Sequence, residues 1–247
     1  MPMTIQGKDY YFKLRSLLYL REVGAAGHFR PLGLVDEATL TLNETVDRLR
    51  DVRRSAGGTA SVDRDIESGE ISLTLREGTP ENLALGWFAD QTSIIAGSVT
   101  DAPYTAKQGQ FIYVGHTDIS NVVVTSDPAG TTYTLDTDYT ANESGVFIVP
   151  GGAIADDAPI LIDFDYGAQD LLDGLANAGK TWELLASAEN KVQGGAPSVL
   201  EVHRVRFGPV QGFAVQGGAE HGSLALTGEI LRDSTKGWFK YRGRAVA

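Results

Sequence analysis

Alternating apolar and polar residues form the clearest regular pattern of this chain. Between residues 36 and 47, one side carries Ala38, Leu40, Leu42 and Val46, and the other carries Thr39, Thr41, Asn43 and Thr45. Successive side chains of a β-strand point to opposite faces of its sheet. The pattern therefore predicts a half-buried strand whose polar side carries no Lys or Arg.

Three further segments are predicted to be strands. Residues 70 to 76 place Ile71, Leu73 and Leu75 inside and Ser72 and Thr74 outside. Residues 222 to 231 oppose Leu224, Leu226 and Ile230 to Ser223, Ala225, Thr227 and Glu229. Residues 198 to 207 alternate less regularly. The outer faces are poor in Lys, Arg and large aromatic residues, and a plain solvated sheet would have the same composition.

The segment from residue 48 to residue 69 separates the first two of these strands. It is interpreted as a long hairpin or an extended loop around a Gly57-Gly58 tip, and its arginines include Arg50, Arg53, Arg54 and Arg64. A loop of this length is uncommon in a compact domain unless it binds something, so we expect a protein contact here. Nucleic acid is the competing partner, although interleaved acidic residues dilute the positive charge.

A short helix is predicted after the second strand. Thr79 is a good N-cap, Pro80 suits the first helical position, and Glu81 favours the positive end of a helix. These signals predict a helix that ends near Asp90. Its apolar stripe, packed on the sheet, would consist of Leu83, Trp87 and Phe88.

Charged residues are unevenly distributed along the chain. The formal net charge is −11, and no Lys or Arg occurs between Lys107 and Lys180. Residues 98 to 168 contain ten acidic residues against Lys107 alone, so this segment carries −9 of the total and the remainder is nearly neutral. Such a break predicts an inserted module at 98–168. A connector at 169–179 would join it to a discontinuous core domain at 1–97 and 180–247.

Short β-rich runs alternate with turn signals inside the predicted insert, which is typical of a small Ig-like β-sandwich. Its acidic residues are interpreted as a solvated, mutually repelling face. Asp136 with Asp138, and Asp163 with Asp165, place two carboxylates on one side of a strand, so a calcium site is an alternative. No EF-hand spacing accompanies these pairs, and no metal is expected.

Residues 174 to 181, GLANAGKT, match the P-loop pattern in full. Taken alone, the pattern predicts Lys180 on nucleotide phosphates and Thr181 on magnesium. The polar residues before Gly174 do not resemble the buried strand that precedes a working P-loop, and the residues after it are interpreted as antiparallel β. Nucleotide binding is therefore a remote alternative, and no cofactor is expected.

Other catalytic signatures are missing from the sequence. His28, His116, His203 and His221 lie in different segments without metal-ligand spacing, the chain has no Cys, and no G-x-S-x-G elbow occurs. A non-enzymatic protein is expected. No signal peptide is expected from the first residues, and no stretch approaches the ~20 apolar residues of a membrane span. We expect folding in a cytoplasm and no membrane partner.

The order of these elements resembles the tail tube proteins of long-tailed phages. In residues 32 to 90, a strand, a long Gly-containing loop, a second strand and a helix with an E-N-L-A motif at Glu81–Ala84 follow one another as in that family. Residues 198 to 241 are similar to the family's two closing strands, penultimate turn and final aromatic segment. The insert departs from the minimal pattern of the family.

This resemblance implies a mainly β, tail-tube-type β-sandwich or barrel with one short helix. It implies a virion tail protein, assembled in the host cytoplasm, whose copies form hexameric rings that stack into a tube for the genome. Further implied partners are tape measure, tail tip and terminator proteins, with DNA passing through without tight binding. Homology with contractile-tail and type VI secretion tubes is also implied.

The resemblance also suggests roles for particular residues. The lumen-lining candidates are Thr39, Thr41, Asn43, Thr45, Ser72, Thr74, Ser223, Thr227 and Glu229. The candidates for an inter-ring loop are Arg50, Arg53, Arg54, Gly57, Gly58 and Arg64. Faces without clustered Lys and Arg suit a channel that must let phosphate slide past. The alternative function is a phage or cell-surface adhesin that uses the acidic Ig-like insert to bind a host ligand.

Overall fold

The computed structural model describes residues 13–53, 58–177, 180–193, 195–216 and 221–243, and it is mainly β. Its elements are β1 (Leu14–Glu22), β2 (Arg30–Pro31), β3 (Val35–Asp51), β4 (Gly58–Leu75), α1 (Pro80–Trp87), β5 (Asp90–Ile94), β6 (Gly97–Thr105), β7 (Phe111–Tyr113), β8 (Ile119–Ser126), β9 (Tyr139–Asn142), β10 (Gly145–Ile148), β11 (Pro159–Tyr166), β12 (Gln169–Asp173), β13 (Trp182–Asn190), β14 (Ala196–Phe207), β15 (Leu224–Ile230) and β16 (Phe239–Gly243), with a short 3-10 turn at Lys191–Gln193. Every strand pairing between these elements is antiparallel where its register is defined.

The chain folds as two compact units. Unit 1 comprises the described residues up to Asp90 and from Leu172 onward, and unit 2 is Gln91–Leu171. Unit 2 therefore begins before and ends after the segment 98–168 that the charge break marks. Strands β5 and β12 form a two-stranded sheet of their own, so the predicted connector 169–179 is partly strand.

Unit 1 contains one large sheet. Its strand order is β2-β1-β13-β14-β15-β4-β3, and β16 pairs with β14 off this path. The two partners of β14 use different parts of it: β16 pairs with Ser198–Val202, and β15 pairs with Val205–Phe207. Strand β3 is the last strand of this order and therefore lies at an edge of the sheet.

The hydrophobic core of unit 1 lies against one face of this sheet. It includes Leu20 of β1, Leu73 of β4, Leu184 of β13 and Leu226 of β15, all almost fully buried. Buried and less buried residues alternate along β4 from Gly69 onward and along all of β15, which confirms the predicted alternation of these two strands. Burial of these branched side chains supplies most of the driving force for the unit.

The helix begins where capping predicts and ends earlier than expected. Thr79 Oγ1 accepts a hydrogen bond from the Asn82 amide at 3.3 Å, and Pro80 occupies the first turn. The helix ends at Trp87 because Phe88 adopts a left-handed backbone with φ 52°. A left-handed residue is a common helix stop.

The predicted apolar stripe of the helix is wrong. Leu83, Trp87 and Phe88 are only half-buried, whereas the helix buries Asn82, Leu85 and Gly86. A Cβ on Gly86 would lie 3.3 Å from Leu226 Cδ2, so the missing side chain is what lets the helix approach the sheet closely. Asn82 is buried because its amide donates to the Leu32 carbonyl at 2.9 Å and its oxygen accepts from Arg30.

Unit 2 consists of two three-stranded sheets around one hydrophobic cluster. The strand orders are β7-β10-β9 and β6-β11-β8. Val124, Val146, Ile148, Ile160 and Ile162 from both sheets are fully buried in the cluster. Residues 131–138, between β8 and β9, form only isolated bridges before β9 begins at Tyr139.

Candidate functional site: a polar sheet face and a long hairpin

Three adjacent strands of unit 1 present a continuous polar face. The register places Thr39 of β3, Ser72 of β4 and Thr227 of β15 in one row across the sheet. The next row contains Thr41, Glu70 and Glu229. Directly opposite residues of paired strands share a face, so these hydroxyl and carboxylate groups form one surface opposite to the core.

Seven of the nine lumen-lining candidates lie on this polar face. They are Thr39, Thr41, Asn43, Ser72, Thr74, Thr227 and Glu229. Thr45 lies beyond a register shift at Asn43/Glu44, where its hydroxyl donates to Glu67 Oε2 at 2.6 Å. Ser223 precedes the first residue of β15 and belongs to no row.

Charged residues that the sequence reasoning missed lie among the candidates. Glu37 is opposite Thr74, Glu70 occupies the row of Thr41, and Arg206 of β14 is opposite Glu229. The alternation of β4 continues to Glu70, so the sequence pattern could have identified this residue. A pattern within one strand does not reveal that Arg206 joins the face, because that depends on the pairing of β14 with β15.

A recess of about 590 Å³ lies in this region of unit 1. Its lining includes Glu70, Thr227 and Glu229 from the polar face, together with Arg206 and the ring of Phe88. The segment Gly208–Gln211 borders it, and the Gly208 amide donates to the Thr227 carbonyl at 2.8 Å. The polar face is therefore concave beside β15, with two carboxylates and one guanidinium on its walls.

Strand β3 is a long edge strand. It spans 17 residues and pairs with β4 on one side, and no other strand of the described residues pairs with its second side. At the opposite end of the sheet, β2 covers only Tyr19 and Leu20 of β1. Open edges expose backbone N–H and C=O groups that can pair with another chain.

The segment from residue 48 to residue 69, interpreted from the sequence as a long hairpin or an extended loop, belongs to a two-stranded hairpin. Strands β3 and β4 pair from Glu44↔Ile66 to Asp51↔Gly58, whereas β15 pairs with β4 only over Gly69–Leu75. The outer eight residues of β3 therefore extend about 26 Å beyond the three-stranded region, at about 3.3 Å per residue. We call residues 44–66 the outer hairpin.

One side of the outer hairpin and its base carries exposed apolar residues interleaved with charged ones. Leu42, Val62 and Ile66 are exposed at 47 to 61% of their surface, and Val46 between them is half-buried. The predicted half-buried strand over 36–47 is thus mostly exposed in the single chain. An isolated two-stranded hairpin is at best marginally stable in water, so this hairpin is expected to gain stability from a partner.

The candidate arginines are distributed along this hairpin. Arg50 lies on β3 opposite Thr59, and Arg64 on β4 forms a 3.4 Å ion pair with Glu44. Arg53 follows β3, and Gly58 is the first residue of β4 rather than part of the tip. Arg54 and Gly57 lie outside the described residues.

The P-loop match does not lie in a P-loop setting. Within residues 180–193, the chain after the motif continues as strand β13, paired with β1 and β14, and not as a helix whose N-terminus could hold phosphate. Lys180 Nζ lies 3.7 Å from a Glu22 carboxylate, and the Thr181 carbonyl accepts from the Val23 amide. Ala178 and Gly179 lie outside the described residues. The motif therefore joins two strands.

Three of the four paired acidic residues of unit 2 accept hydrogen bonds from the protein's own backbone and side chains. Asp163 Oδ1 accepts from the Asp101 amide at 2.6 Å, and Asp165 accepts from Ser98 and Asn121. Asp138 is buried and accepts from the amides of Thr134 and Ala153, each at 2.8 Å. No cluster of three or more metal-ligating side chains occurs among the residues the structure describes.

Unit 2 should lose stability in acid through Asp138. Hydrogen bonds from the Ala153 and Thr134 amides lower the pKa of its carboxyl despite burial. A pKa lowered by folding means that the stabilisation is complete above the unfolded value of about 3.9 and is lost as the pH falls through the folded value. We expect Asp138→Ala to lower the unfolding temperature at pH 7. The difference between the unfolding temperatures at pH 7 and pH 3 should be smaller in this variant than in the unchanged protein. Glu143 is exposed, so the control variant Glu143→Ala should leave both unfolding temperatures nearly unchanged. If Glu143→Ala and Asp138→Ala have equal effects, the role assigned to Asp138 is wrong.

His203 is the histidine whose surroundings differ most from its ordinary state. It is buried in β14, and its Nε2 has no hydrogen-bond partner among the described residues. Burial lowers its pKa, and Lys236 and Lys240 lower it further. Burial and the two lysines therefore favour the neutral form of the His203 imidazole.

Fold and surface together define a mainly β chain with a polar sheet face, an open edge strand and a long hairpin. Residues 11–239 match the model of a family described as "Protein of unknown function UCP028589", and the chain belongs to that family. No curated protein matches the sequence. Among the described residues, the helical segment is too short to cross a membrane.

Proposed function

We propose that this protein is a structural virion subunit of the phage tail tube type, without catalysis. Its copies form hexameric rings, and the rings stack into a tube through which the genome passes. The observation that carries this proposal is the combination of the open 17-residue edge of β3 with the exposed apolar residues of the outer hairpin. Both are surfaces that a second chain would complete.

The open edges support ring closure. Strand β3 of one copy pairs with the uncovered end of β1 in the next copy, at Leu14–Leu17, where exposed Leu14 and Leu17 add apolar contact. A contact between two different surfaces of identical subunits forms a ring when its rotation closes. Closure removes the sheet edges and joins the sheets of all copies into an inner barrel of the tail-tube type.

The outer hairpin supports stacking. It extends beyond the β15-paired part of the sheet and has arginines near its end and apolar residues along one side. A contact with the adjacent ring would bury Leu42, Val62 and Ile66, whose exposure in a single chain is unfavourable. This assignment makes the hairpin the inter-ring element, with Arg50 and Arg53 at its outer end.

The polar face supports the role of channel wall. Its rows of Thr, Ser and Glu hydrate well and repel phosphate, and Arg206 is the only basic residue that the described strand pairings add to them. Unit 2 would be an Ig-like decoration on the outside of the tube. Tape measure, tail tip and terminator proteins would be the further partners in the tail.

Negative-stain microscopy and size-exclusion chromatography of the purified protein test this function. We expect rings or tubes of uniform diameter, with a hydrodynamic size that grows with concentration. A protein that stays monomeric at high concentration and shows no rings would overturn the proposal.

Lysines introduced on the polar face should make the proposed channel wall bind DNA. The triple variant Thr39→Lys, Ser72→Lys, Thr227→Lys changes a single row of the face without touching the core. We expect the assembled variant to retard short duplex DNA in gel mobility assays at low salt, and this binding should weaken steeply as salt rises. The same three positions changed to Gln provide the control. If the assembled Lys variant does not change the mobility of duplex DNA, this face does not line the channel.

A further inference from the structure

Unit 2 exposes three aromatic side chains on the outer face of one sheet. Phe111 and Tyr113 belong to β7, and Phe147 belongs to β10. Between 36 and 61% of their surface is exposed. The opposite face of the same sheet holds Val146 and Ile148 in the core, so the three rings lie outside the packing that folds the unit.

The register brings the three rings close together. Phe147 is directly opposite Phe111, and Gly145 is directly opposite Tyr113. Strands are about 4.8 Å apart, and side chains two residues apart on one strand are separated by about 7 Å. Three rings at these spacings cover an area similar to that of two linked sugar rings.

Gly145 keeps the centre of this face flat. A Cβ at this position would lie 2.6 Å from Phe111 Cζ, so the edge of the Phe111 ring extends over the glycine. Thr140 lies on the other side of Phe147, in the same cross-strand row, and supplies a hydroxyl. We call Phe111, Tyr113, Phe147 and Thr140 the aromatic face.

Charge restricts what this face can bind. Unit 2 contains eleven Asp and Glu residues, and Lys107 is its one basic residue. Such a surface repels polyanions, among them nucleic acid and sugar chains that carry phosphate or carboxylate. Aromatic rings attract C–H groups and amines through the negative face of the π-system, and the surrounding acids strengthen the attraction for amines.

We propose that the aromatic face is a binding site for a glycan that carries no negative charge. Sugar rings would stack on Phe111, Tyr113 and Phe147, and Thr140 would hydrogen-bond to ring hydroxyls. An amino sugar would bind more tightly than a neutral one because the acidic field of unit 2 favours its ammonium group. This site goes beyond the proposed tube function and does not depend on ring formation.

Titration calorimetry of the full chain tests the site with three probes: a hexamer of N-acetylglucosamine, a hexamer of glucosamine and a hexamer of galacturonate. We expect the neutral hexamer to bind, the amino hexamer to bind more tightly at low salt than at high salt, and the acidic hexamer not to bind. Failure of the first two to bind at millimolar concentration would overturn the proposal. Equal binding of the acidic hexamer would overturn it as well.

Variants locate the binding. Phe111→Ala and Phe147→Ala should each weaken affinity for the neutral hexamer by about tenfold, as expected for loss of one stacking ring. Phe147→Tyr should retain it. Val123→Ala removes a side chain that is similarly exposed on the other sheet of unit 2 and should change nothing. Circular dichroism of each variant checks folding. Unchanged affinity in both alanine variants of folded protein would place the site elsewhere and sink the proposal.

Discussion

A chain in which residues 45–65 are replaced by Asn-Gly is expected to fold and to form single rings that no longer stack into tubes. Glu44 and Ile66 are directly opposite each other, so a two-residue turn connects them without changing the register. The core of unit 1 is expected to be unaffected, because the deleted residues whose burial the structure describes are exposed or half-buried and lie beyond the pairing with β15. Stacking should fail because the proposed inter-ring contact is missing, whereas the β3 edge proposed to close the ring is retained.

Light scattering and negative-stain microscopy measure this outcome, and circular dichroism checks the fold. The matched control is a variant in which residues 98–168 are replaced by a short Gly-Ser linker. It removes more residues, but from the proposed external decoration, and should still form rings and tubes. Normal tubes from the hairpin variant, or loss of assembly only in the control, would contradict the roles assigned to the two segments.

Leu73→Ala should strongly destabilise unit 1. Leu73 is almost fully buried, and its strand β4 lies between β15 and β3, opposite Leu226 on one side and Ala38 on the other. Replacing a buried Leu by Ala removes apolar contact and leaves a cavity, which costs about 2–5 kcal/mol. We expect about 3 kcal/mol in the free energy of unfolding of unit 1.

Chemical denaturation followed by the fluorescence of the unit 1 tryptophans measures this loss. Ser72→Ala, one residue earlier on the opposite face, is the matched control and should change the unfolding free energy by less than about 0.5 kcal/mol. A loss under about 1 kcal/mol for Leu73→Ala would mean that the core can rearrange around this position. Equal losses in the two variants would contradict the assignment of the two faces.

Local signals predicted the start of the helix and missed its orientation. Thr79 and Pro80 define the first turn through hydrogen bonding and backbone geometry within a few residues, so the sequence reveals them. The buried side of the helix depends on Gly86, which approaches Leu224 and Leu226 of a distant strand. A stripe of large apolar residues pointed to the wrong side because close approach, rather than hydrophobicity, selected the contact.

The same distinction applies to the candidate sites. The alternation of β4 and β15 placed Ser72 and Thr227 on the exposed side correctly, but only the pairing register places them in one row with Thr39. The P-loop pattern was complete in its letters, yet its function needs a helix, and a strand follows it in the fold. Calcium was only an alternative for the acidic pairs, and the spacing of the pairs does not show that Asp138 and Asp163 accept hydrogen bonds from nearby amides.

The sequence by itself determined that this protein is mainly β, which side of β4 and β15 is apolar, and that its negative charge is concentrated in one segment. These properties follow from side-chain alternation and composition, which are local. Tertiary structure alone decided that β3 is an edge strand, that the outer hairpin extends past β15 with exposed apolar residues, and that three aromatic rings share the outer face of one sheet of unit 2. Strand partners and register depend on contacts between distant residues, and alternation within a single strand does not specify them.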